Sequence, residues 1–316
     1  MIKPKLLILP LLLCWFLWAC QEPRQGEEFS FMAIGDVPYH LPEDFGRFEN
    51  MIRDINGEKP AFTLHVGDIK SGSTPCTDEY FEKIHEYFQT FEQPLIYTPG
   101  DNEWTDCHRE ACGEYDPEER LDKLRTLFFS SGKSLGANPM ELTFQNEYEG
   151  FEKFVENAYW AKGDISFATL HVVGSNNNLL LDPEALNDEF YEREMANLFW
   201  LRESFKKAEE SGHKGIVLSL HAGLNYRSQE DNNGHKSFVN LLRELVPEFG
   251  KPVLLVYGDF HRFQVDKPLM DGERRVMTNF TQVQVFGDRD MHAVNIHVNP
   301  SNPNLFEIHQ YFVEGN

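Results

Sequence analysis

The chain has 316 residues, which is enough for one large or two ordinary domains and for a sizeable hydrophobic core. It carries 51 acidic side chains against 29 lysines and arginines, a formal net charge of −22 at pH 7. A surface this acidic repels phosphate backbones, so we expect no nucleic-acid partner.

The N-terminal segment has the pattern of an export signal. Lys3 and Lys5 precede the apolar run LLILPLLLCWFLW, which has the length of a signal-peptide core and is short for a membrane span of roughly 20 residues. The run ends in LWAC, which resembles the cleavage box of bacterial lipoproteins. We therefore expect residues 1–20 to form a lipoprotein-type signal peptide and residues 21–28 a polar tether. Lipid on Cys20 would then hold the exported protein on a bacterial membrane, and an ordinary cleaved signal peptide is the alternative.

After the tether, apolar strand patterns alternate with helical patterns. The stretches DFGRFENMIRDI and DEYFEKIHEYFQTF each place their apolar side chains on one helical face. Alternating strands and helices predict βαβ units and a largely parallel sheet. Beyond His261 the pattern changes to alternating strands, which predicts an antiparallel ending to a second sheet. No break in composition interrupts the sequence, so we expect a single domain over residues 29–316.

Five buried-strand patterns end in a carboxylate or a histidine, and a glycine usually stands just before it. Glycine lets the backbone turn sharply at the end of a strand. In parallel sheets, ligands bind beyond the carboxyl ends of the strands. Acids and histidines gathered at that edge need cations between them, so the pattern predicts a metal site. These end residues are Asp36, Asp68, Asp101, His221, Asp259 and His261.

The order of these motifs resembles the calcineurin-like metallophosphoesterases over roughly Phe29 to His261, in a variant form with GDNEW and GD-x-H motifs. The resemblance implies an α/β fold in which two mixed β-sheets form a sandwich flanked by helices (α/β/β/α). It also implies a metal-dependent phosphoric ester hydrolase that cleaves small phosphate mono- or diesters by attack of a metal-bound hydroxide. Because three family positions are substituted, the alternative is a metal- or ligand-binding lipoprotein on the same fold that has lost turnover.

The resemblance also implies two divalent metal ions at the strand ends. A one-residue shift in register would make Asn102 a ligand in place of Asp101. The oxygen-rich ligand set favours Mn²⁺, with Fe, Zn and Mg as alternatives. Pro38 stands where the family has a histidine ligand, so water or Tyr39 would have to complete that site. The implied ligands are Asp36, Asp68, Asp101, His221, Asp259 and His261, with Asp68 as the bridge between the two ions.

The GDNEW segment and the loop after it hold the candidate catalytic residues. Asn102 stands where the family has a histidine that helps to protonate the leaving group, which an amide cannot do. His108 is a substitute acid, and Arg109 is a candidate to hold a phosphate oxygen through two hydrogen bonds, with a solvated loop as the alternative for both. Glu103 matches the family's acidic residue that supports the site from behind. Asn176 to Asn178 follow a strand and would either contact substrate or form a turn.

Three cysteines follow the signal segment, and export would favour disulfide formation. If Asp68 and Asp101 contact the same pair of metal ions, the loops that follow them emerge side by side. The Cα atoms of Cys76 and Cys107 would then approach the roughly 5.5–6 Å that a disulfide needs, so we expect this pair. Pairing of Cys107 with Cys112 is the local alternative.

Overall fold

The structure is a computed structural model that describes residues 26–316, and its strands form two sheets. The first sheet has the order β12 (Phe306–Tyr311), β11 (Ala293–Val298), β1 (Phe29–Ile34), β2 (Thr63–His65) and β3 (Leu95–Tyr97). The second has the order β4 (Thr143–Phe144), β5 (Ala158–Lys162), β6 (Ile165–Thr169), β7 (Gly215–Ser219), β8 (Val253–Tyr257), β10 (Phe280–Gln284) and β9 (Gln264–Asp266).

Parallel strands form one side of the first sheet and the middle of the second. β2 pairs in parallel with β1 and β3, and β6, β7, β8 and β10 also form a parallel run. The antiparallel pairs join β11 to β1 and β12 on the other side of the first sheet, and β5 to β4 and β6 and β9 to β10 at the two ends of the second. Of the strands beyond His261, β9 and β10 belong to the second sheet, but β11 and β12 extend the first, so the expected antiparallel ending to the second sheet is wrong for β11 and β12. The carboxyl ends of the parallel strands therefore lie together, and the predicted mixed sheets are confirmed.

Helices cover the outer face of each sheet. The first sheet packs against α1 (Glu43–Glu58), α2 (Asp78–Phe88) and α3 (Pro117–Phe128), and the second packs against α5 (Asp188–Glu210) and α6 (Lys236–Phe249). A single turn, α4 (Gly174–Asn177), lies between β6 and α5 along the chain. Short 3₁₀ helices occupy Thr105–His108, Glu110–Cys112 and Gln145–Glu147. The two helices expected from the sequence are α1 and α2.

Alternate residues of the central strands face two different cores. In β1, Phe31 and Ala33 lie in the core between the sheets, and Met32 and Ile34 lie in the core under α1, α2 and α3. β7 and β8 alternate in the same way between the inter-sheet core and the core under α5 and α6. Strands buried on both faces read as nearly continuous apolar runs, as these do. The layers are therefore helix, sheet, sheet and helix, as the resemblance implied.

Phe167 lies in the middle of an aromatic cluster between the sheets. Its ring centroid is 5.1 Å from that of Phe62, 5.3 Å from that of Trp160 and 5.6 Å from that of Phe31. Phe167→Ala should leave a cavity and lower the free energy of unfolding by about 3–5 kcal/mol, measured by urea denaturation. The exposed ring of Phe312 provides the control, since Phe312→Ala should change stability by less than about 0.5 kcal/mol. Equal losses in the two variants would contradict this account of the core.

A disulfide joins the loops that follow β2 and β3. It links Cys76 to Cys107, whose Cα atoms lie 5.9 Å apart, and this confirms the predicted pair over the local alternative. Cys112 is buried and forms no disulfide within residues 26–316.

The expected signal peptide, lipobox and most of the tether lie outside the described residues. Residues 26–28 precede β1 without regular secondary structure. Across the described part of the chain, no helix combines the length and the apolar composition needed to cross a membrane.

Candidate metal centre

The polar residues at the strand ends gather into two overlapping groups. One group holds Asp36, Asp68 and His261, and the other holds Asp68, Asp101 and His221. Within each group, one candidate ligand atom from every residue lies within 4.8 Å of the others. All of these side chains except that of His261 are buried. Asp68 belongs to both groups, which is the arrangement that two cations sharing one carboxylate require.

The backbone turns sharply at several of these positions. Asp36, Asp68, Asp259 and His261 have positive φ angles of 55°, 54°, 80° and 56°. This left-handed conformation costs a residue with a Cβ roughly 1–2 kcal/mol. Such strain persists only where the surrounding structure holds it, and it collects at functional sites.

Two of the glycines before the strand-end residues are needed for close approach rather than for a turn. The chain bends directly after both Gly100 and Gly258, but neither has a positive φ angle, so their backbone conformation does not itself require glycine. A Cβ at Gly100 would lie 2.2 Å from Asp68 Oδ1, and a Cβ at Gly258 would lie 2.5 Å from Asp36 Oδ2. These separations are shorter than van der Waals contact, so only glycine lets the backbone pass beside the carboxylates.

His221 presents one ring nitrogen to the carboxylates. Its Nδ1 lies 2.9 Å from the carbonyl oxygen of Val66, so Nδ1 carries the proton and donates it. Its Nε2 lies 2.9 Å from Asp101 Oδ1 and 3.4 Å from Asp68 Oδ1. A backbone hydrogen bond of this kind sets the ring orientation of histidines that bind metals through the other nitrogen.

Two buried atoms of the cluster lack a hydrogen-bond partner. They are Asp36 Oδ2 and His221 Nε2, and the latter makes no well-aligned hydrogen bond despite its short distance to Asp101. Buried polar atoms are nearly always paired, so each unpaired atom needs an explanation. Cations among these carboxylates and imidazoles would satisfy both atoms, and the donor set therefore fits divalent metal ions.

Burial and neighbouring charges shift the pKa values of the cluster. Burial raises the pKa of Asp36 to about 7. Burial also raises the pKa of Asp68 well above its usual value, where the attraction of His221 opposes the shift and the negative charges of Asp101 and Glu103 add to it. Although burial opposes it, pairing with His221 lowers the pKa of Asp101 to about 2. The carboxylates thus compete for protons, which divalent cations would replace.

Asn102 makes its contacts with Asp68 and with the residues around it. Its Nδ2 donates to Asp68 Oδ2 at 2.5 Å and lies 3.0 Å from the hydroxyl of Tyr39, and its backbone N–H donates to Asp68 Oδ1 at 3.0 Å. The same amide donates to the carbonyl oxygen of Lys70 at 3.2 Å. The geometry therefore places Asp101, not Asn102, against His221.

Tyr39, an alternative to water as the replacement for the missing histidine, lies against the shared carboxylate. Its hydroxyl donates to Asp68 Oδ2 at 2.6 Å, and its ring packs edge-on against His261 with centroids 5.0 Å apart. Burial, together with the negative charge of Asp68, raises the pKa of Tyr39 well above 10. In this structure Tyr39 is therefore a neutral phenol that supports both neighbours.

Glu103 holds the loops after β2 and β3 together. Its Oε1 accepts hydrogen bonds from the backbone N–H of Asp68 at 3.1 Å, from that of Gly100 at 2.6 Å and from the hydroxyl of Tyr97 at 2.9 Å. The carboxyl group is fully buried. This placement fits the supporting role that the resemblance implied.

Sequence reasoning missed two residues that contact the GDNEW segment. The fully buried Lys70 donates from Nζ to the carbonyl oxygen of Asn102 at 2.6 Å. Ser175 donates from Oγ to Asp101 Oδ2 at 2.7 Å and to Asp106 Oδ1 at 3.0 Å. Lys70 follows Asp68 by two positions, and Ser175 directly precedes the asparagines singled out after a strand, so each lay next to an available signal.

Arg109 lies at the edge of the cluster. Its Nη2 is 2.7 Å from Asp106 Oδ1, and about half of its side chain is exposed. A Cβ at Gly72 would lie 3.1 Å from Arg109 Nη1 and 2.9 Å from Asn102 Oδ1, so both side chains flank this glycine. The structure therefore brings Arg109 next to Asn102.

The side chains of the other two predicted site residues, His108 and Asp259, contact backbone groups. His108 is exposed and places Nδ1 2.6 Å from the carbonyl oxygen of Thr105, and within residues 26–316 no hydrogen bond joins it to the cluster. Asp259 lies outside both three-residue groups, and its Oδ2 accepts a hydrogen bond from the backbone N–H of Gly223 at 2.7 Å.

The three asparagines after β6 form a turn. Asn176, Asn177 and Asn178 all have φ angles between 55° and 59°. Asn177 Oδ1 accepts from Arg193 Nη1 at 2.6 Å, and Asn176 Oδ1 accepts from the backbone N–H of Gly234 at 2.9 Å. These side chains therefore hold their own loop, in agreement with the alternative stated for them.

Comparison with known proteins places this geometry in a family. A family model described as calcineurin-like phosphoesterase matches residues 29–263, whereas the curated proteins include no match. A dimetal phosphatase from Danio rerio superposes with a TM-score of 0.53 and 11% identity, over 90% of this chain and 99% of that one. A purple acid phosphatase from seeds of yellow lupin, Lupinus luteus, superposes with a TM-score of 0.50 and 14% identity, over 92% of this chain and 54% of that one. At these low identities the superpositions show that this chain has the same fold as the two phosphatases. The family model, in turn, covers well over half of the sequence. The chain belongs to the calcineurin-like phosphoesterase family.

Proposed function

We propose that the chain is an exported, membrane-tethered phosphoesterase that uses two divalent cations to hydrolyse small phosphate mono- or diesters. The observation that carries this proposal is the position of Asp68, which is shared by two groups of candidate ligands. Membership of the phosphoesterase family supports the reaction class.

The ligand groups suggest how the cations would be held. Asp36 and His261 would hold one ion, Asp101 and His221 the other, and Asp68 both. Bound there, two divalent cations would lower the pKa of a water nucleophile and neutralise charge on the phosphoryl oxygens. Carboxylates outnumber imidazoles in this set, which favours Mn²⁺ over Zn²⁺, with Fe and Mg as further candidates.

Asp259 is the least complete of the proposed ligands. Its Oδ2 accepts the hydrogen bond from Gly223, so Oδ1 is the oxygen that remains for a cation. A ligand role for Asp259 would complete the second ion's site and would correspond to the family position that it occupies.

The remaining side chains would position the substrate and the shared carboxylate. Tyr39 and Asn102 hold Asp68 by hydrogen bonds, which would keep the carboxylate oriented during turnover. Arg109 is anchored by Asp106 next to Asn102, where its guanidinium would bind a phosphoryl oxygen. Because the amide of Asn102 is not an acid, the leaving group would depart without a proton from this position.

The assay that tests the proposal uses the full chain and a chromogenic phosphate monoester and diester. The metal-free protein should be inactive toward both, and Mn²⁺ should restore hydrolysis of at least one more effectively than Zn²⁺. Retained activity in the presence of a chelator would contradict a metal-dependent reaction, and a clear preference for Zn²⁺ would contradict the argument from oxygen ligands.

The second candidate is a metal- or ligand-binding lipoprotein that has lost turnover. The position of Asn102 favours this candidate. Its amide bonds to Asp68 and to the carbonyl oxygen of Lys70, so the residue next to the shared carboxylate is not an acid. Metal that binds tightly without any hydrolysis across the substrate panel would select this candidate.

The membrane tether is proposed from the LWAC box, which lies outside the described residues. We expect mass spectrometry of the membrane fraction to find a diacyl- or triacyl-cysteine at Cys20 as the mature N-terminus. Cys20→Ser should abolish that species and release the protein from the membrane. A mature chain that begins at another residue would rule out lipidation.

A further inference from the structure

The GD-x-H motif carries an exposed aromatic ring between two residues of the proposed site. Phe260 is 63% exposed, although Asp259 before it and His261 after it are partly buried. Leaving most of a phenylalanine ring in water forgoes the free energy of burying it. A single exposed apolar residue is ordinary on a protein surface, so its position decides whether it matters.

Contacts of the two neighbouring residues in the sequence fix the position of Phe260. His261 Nε2 lies 3.6 Å from Asp36 Oδ1, and Asp259 Oδ2 accepts the hydrogen bond from Gly223. The ring rests against Gly223, where a Cβ would lie 2.2 Å from its Cε2 atom and 2.4 Å from its Cζ atom. Gly223 therefore makes room for the ring, and the flanking contacts hold the ring at the edge of the metal cluster.

An open groove lies close to the cluster. It has a volume of about 560 Å³ and lies between the segment that follows Gly223 and the turn that follows β6. One end of it is near the cluster, because Asn176 lines it and the adjacent Ser175 bonds to Asp101. Three leucines (Leu179, Leu180 and Leu181) and four asparagines dominate the lining, which also holds Glu230 and includes no lysine or arginine.

The composition of this groove restricts what it could bind. Without a cationic side chain it offers no partner for a second phosphate group or for a carboxylate. Its exposed leucines suit the apolar face of a planar ring, whereas the amides of Asn176, Asn225 and Asn233 bond within the loops that form the groove. Phe260 rests on Gly223, two residues before Asn225 in the lining, so its ring lies close to where the segment that forms one wall of the groove begins.

We propose that Phe260 stacks on the alcohol portion of the substrate, and that the substrate is a phosphoester whose alcohol carries a planar aromatic group, either an aryl ring or a nucleobase. This inference rests on the proposed phosphoesterase function. It assigns Phe260 to substrate selection, separately from the residues that would hold the cations. Stacking on an aromatic side chain tolerates different rings because every one of them has a π-face.

The kinetic test compares two phosphate esters with matched leaving-group pKa, one aryl and one fluorinated alkyl. Phe260→Ala should lower the ratio of their kcat/KM values, aryl over alkyl, by roughly 10–100-fold, which is the range expected for losing one stacking partner. Phe260→Trp should preserve the ratio or raise it. Phe312→Ala is the matched control, since it removes a phenylalanine that is 64% exposed and whose ring packs on Phe286 and His292, and it should leave the ratio unchanged. An unchanged ratio in Phe260→Ala would overturn the proposal.

A binding test separates this inference from the proposed function. Calorimetry would measure phenylphosphonate and methylphosphonate, neither of which can be hydrolysed, on Mn²⁺-loaded wild type and Phe260→Ala. We expect wild type to prefer phenylphosphonate, the variant to lose that preference, and metal content to stay the same. If the preference is found but no ester is hydrolysed, the hydrolase function fails while the assignment of Phe260 stands. Equal binding of the two phosphonates by wild type would overturn the assignment even if esters are hydrolysed.

Discussion

Asp68→Asn should remove both tightly bound metal ions and abolish hydrolysis together. Asp68 is the residue common to both ligand groups, so its loss weakens two sites where any other substitution weakens one. Loss of an outer-shell partner typically costs 10–100-fold in metal affinity or activity, and loss of a shared ligand should cost more. Elemental analysis after gel filtration would count the ions per chain. Asp36→Asn, at a residue of one group only, should retain about one ion per chain in the same measurement.

The control for this experiment is a buried carboxyl group away from the cluster. Glu156 is fully buried and contacts Arg125 and His171, so Glu156→Gln removes a buried charge without touching a candidate ligand. This variant should keep its metal ions once measured under conditions where it remains folded. Two tightly held ions in Asp68→Asn would show that the bridging assignment is wrong.

The rate of wild-type hydrolysis should fall steeply as the pKa of the leaving group rises. General acid catalysis is typically worth about 10²–10⁴ in rate, and Asn102 cannot supply it. Aryl esters should therefore be cleaved far faster than unactivated alkyl esters. The measurement is log(kcat/KM) against leaving-group pKa. It requires alkyl esters with fluorinated alcohols as well, so that stacking of aromatic groups is not mistaken for leaving-group acidity.

Two variants test the origin of that slope. Asn102→His should flatten it, provided that the imidazole fits among Tyr39, Asp68 and Gly72, which surround the present amide. His108→Ala should leave it unchanged, because the exposed His108 contacts its own loop at Thr105. A flat wild-type slope that becomes steep in His108→Ala would assign the acid role to His108. A shallow slope in all three proteins would remove our explanation of why asparagine follows Asp101.

Features that depend on local sequence were predictable. Apolar runs marked the strands, and the carboxylates and histidines just after them marked the edge where Asp36, Asp68 and Asp101 meet, because parallel strands end on the same side of a sheet. Apolar spacing marked α1 and α2 for the same local reason. The Cys76–Cys107 disulfide was predictable because the loops that carry the two cysteines begin at Asp68 and Asp101, which were expected to lie together.

Contacts between distant segments were not predictable in this way. Ser175 lies 74 positions from Asp101, and no periodicity in the sequence records the hydrogen bond between them. Lys70 is a charged residue in a stretch that predicts a loop, and only the packing around Asn102 explains its full burial. The orientation of Asp259 toward Gly223 depends on the path of the loop after β7, which local patterns do not describe.

The metal-ligand assignment at Asp101 or Asn102 shows most clearly what sequence could predict and what required the tertiary structure. Motif order in the sequence carried the resemblance to the family, the resemblance implied the order of the layers, and apolar patterning marked the strand ends. These signals could be read without the structure because motif order and apolar patterning are properties of the chain in one dimension. The two neighbouring residues stand in the same turn, and either could be a ligand on chemical grounds. His221 follows β7 of the second sheet and lies 2.9 Å from Asp101 Oδ1, whereas the amide of Asn102 faces Asp68, which follows β2 of the first sheet. Only the packing of one sheet on the other decides which residue meets the imidazole.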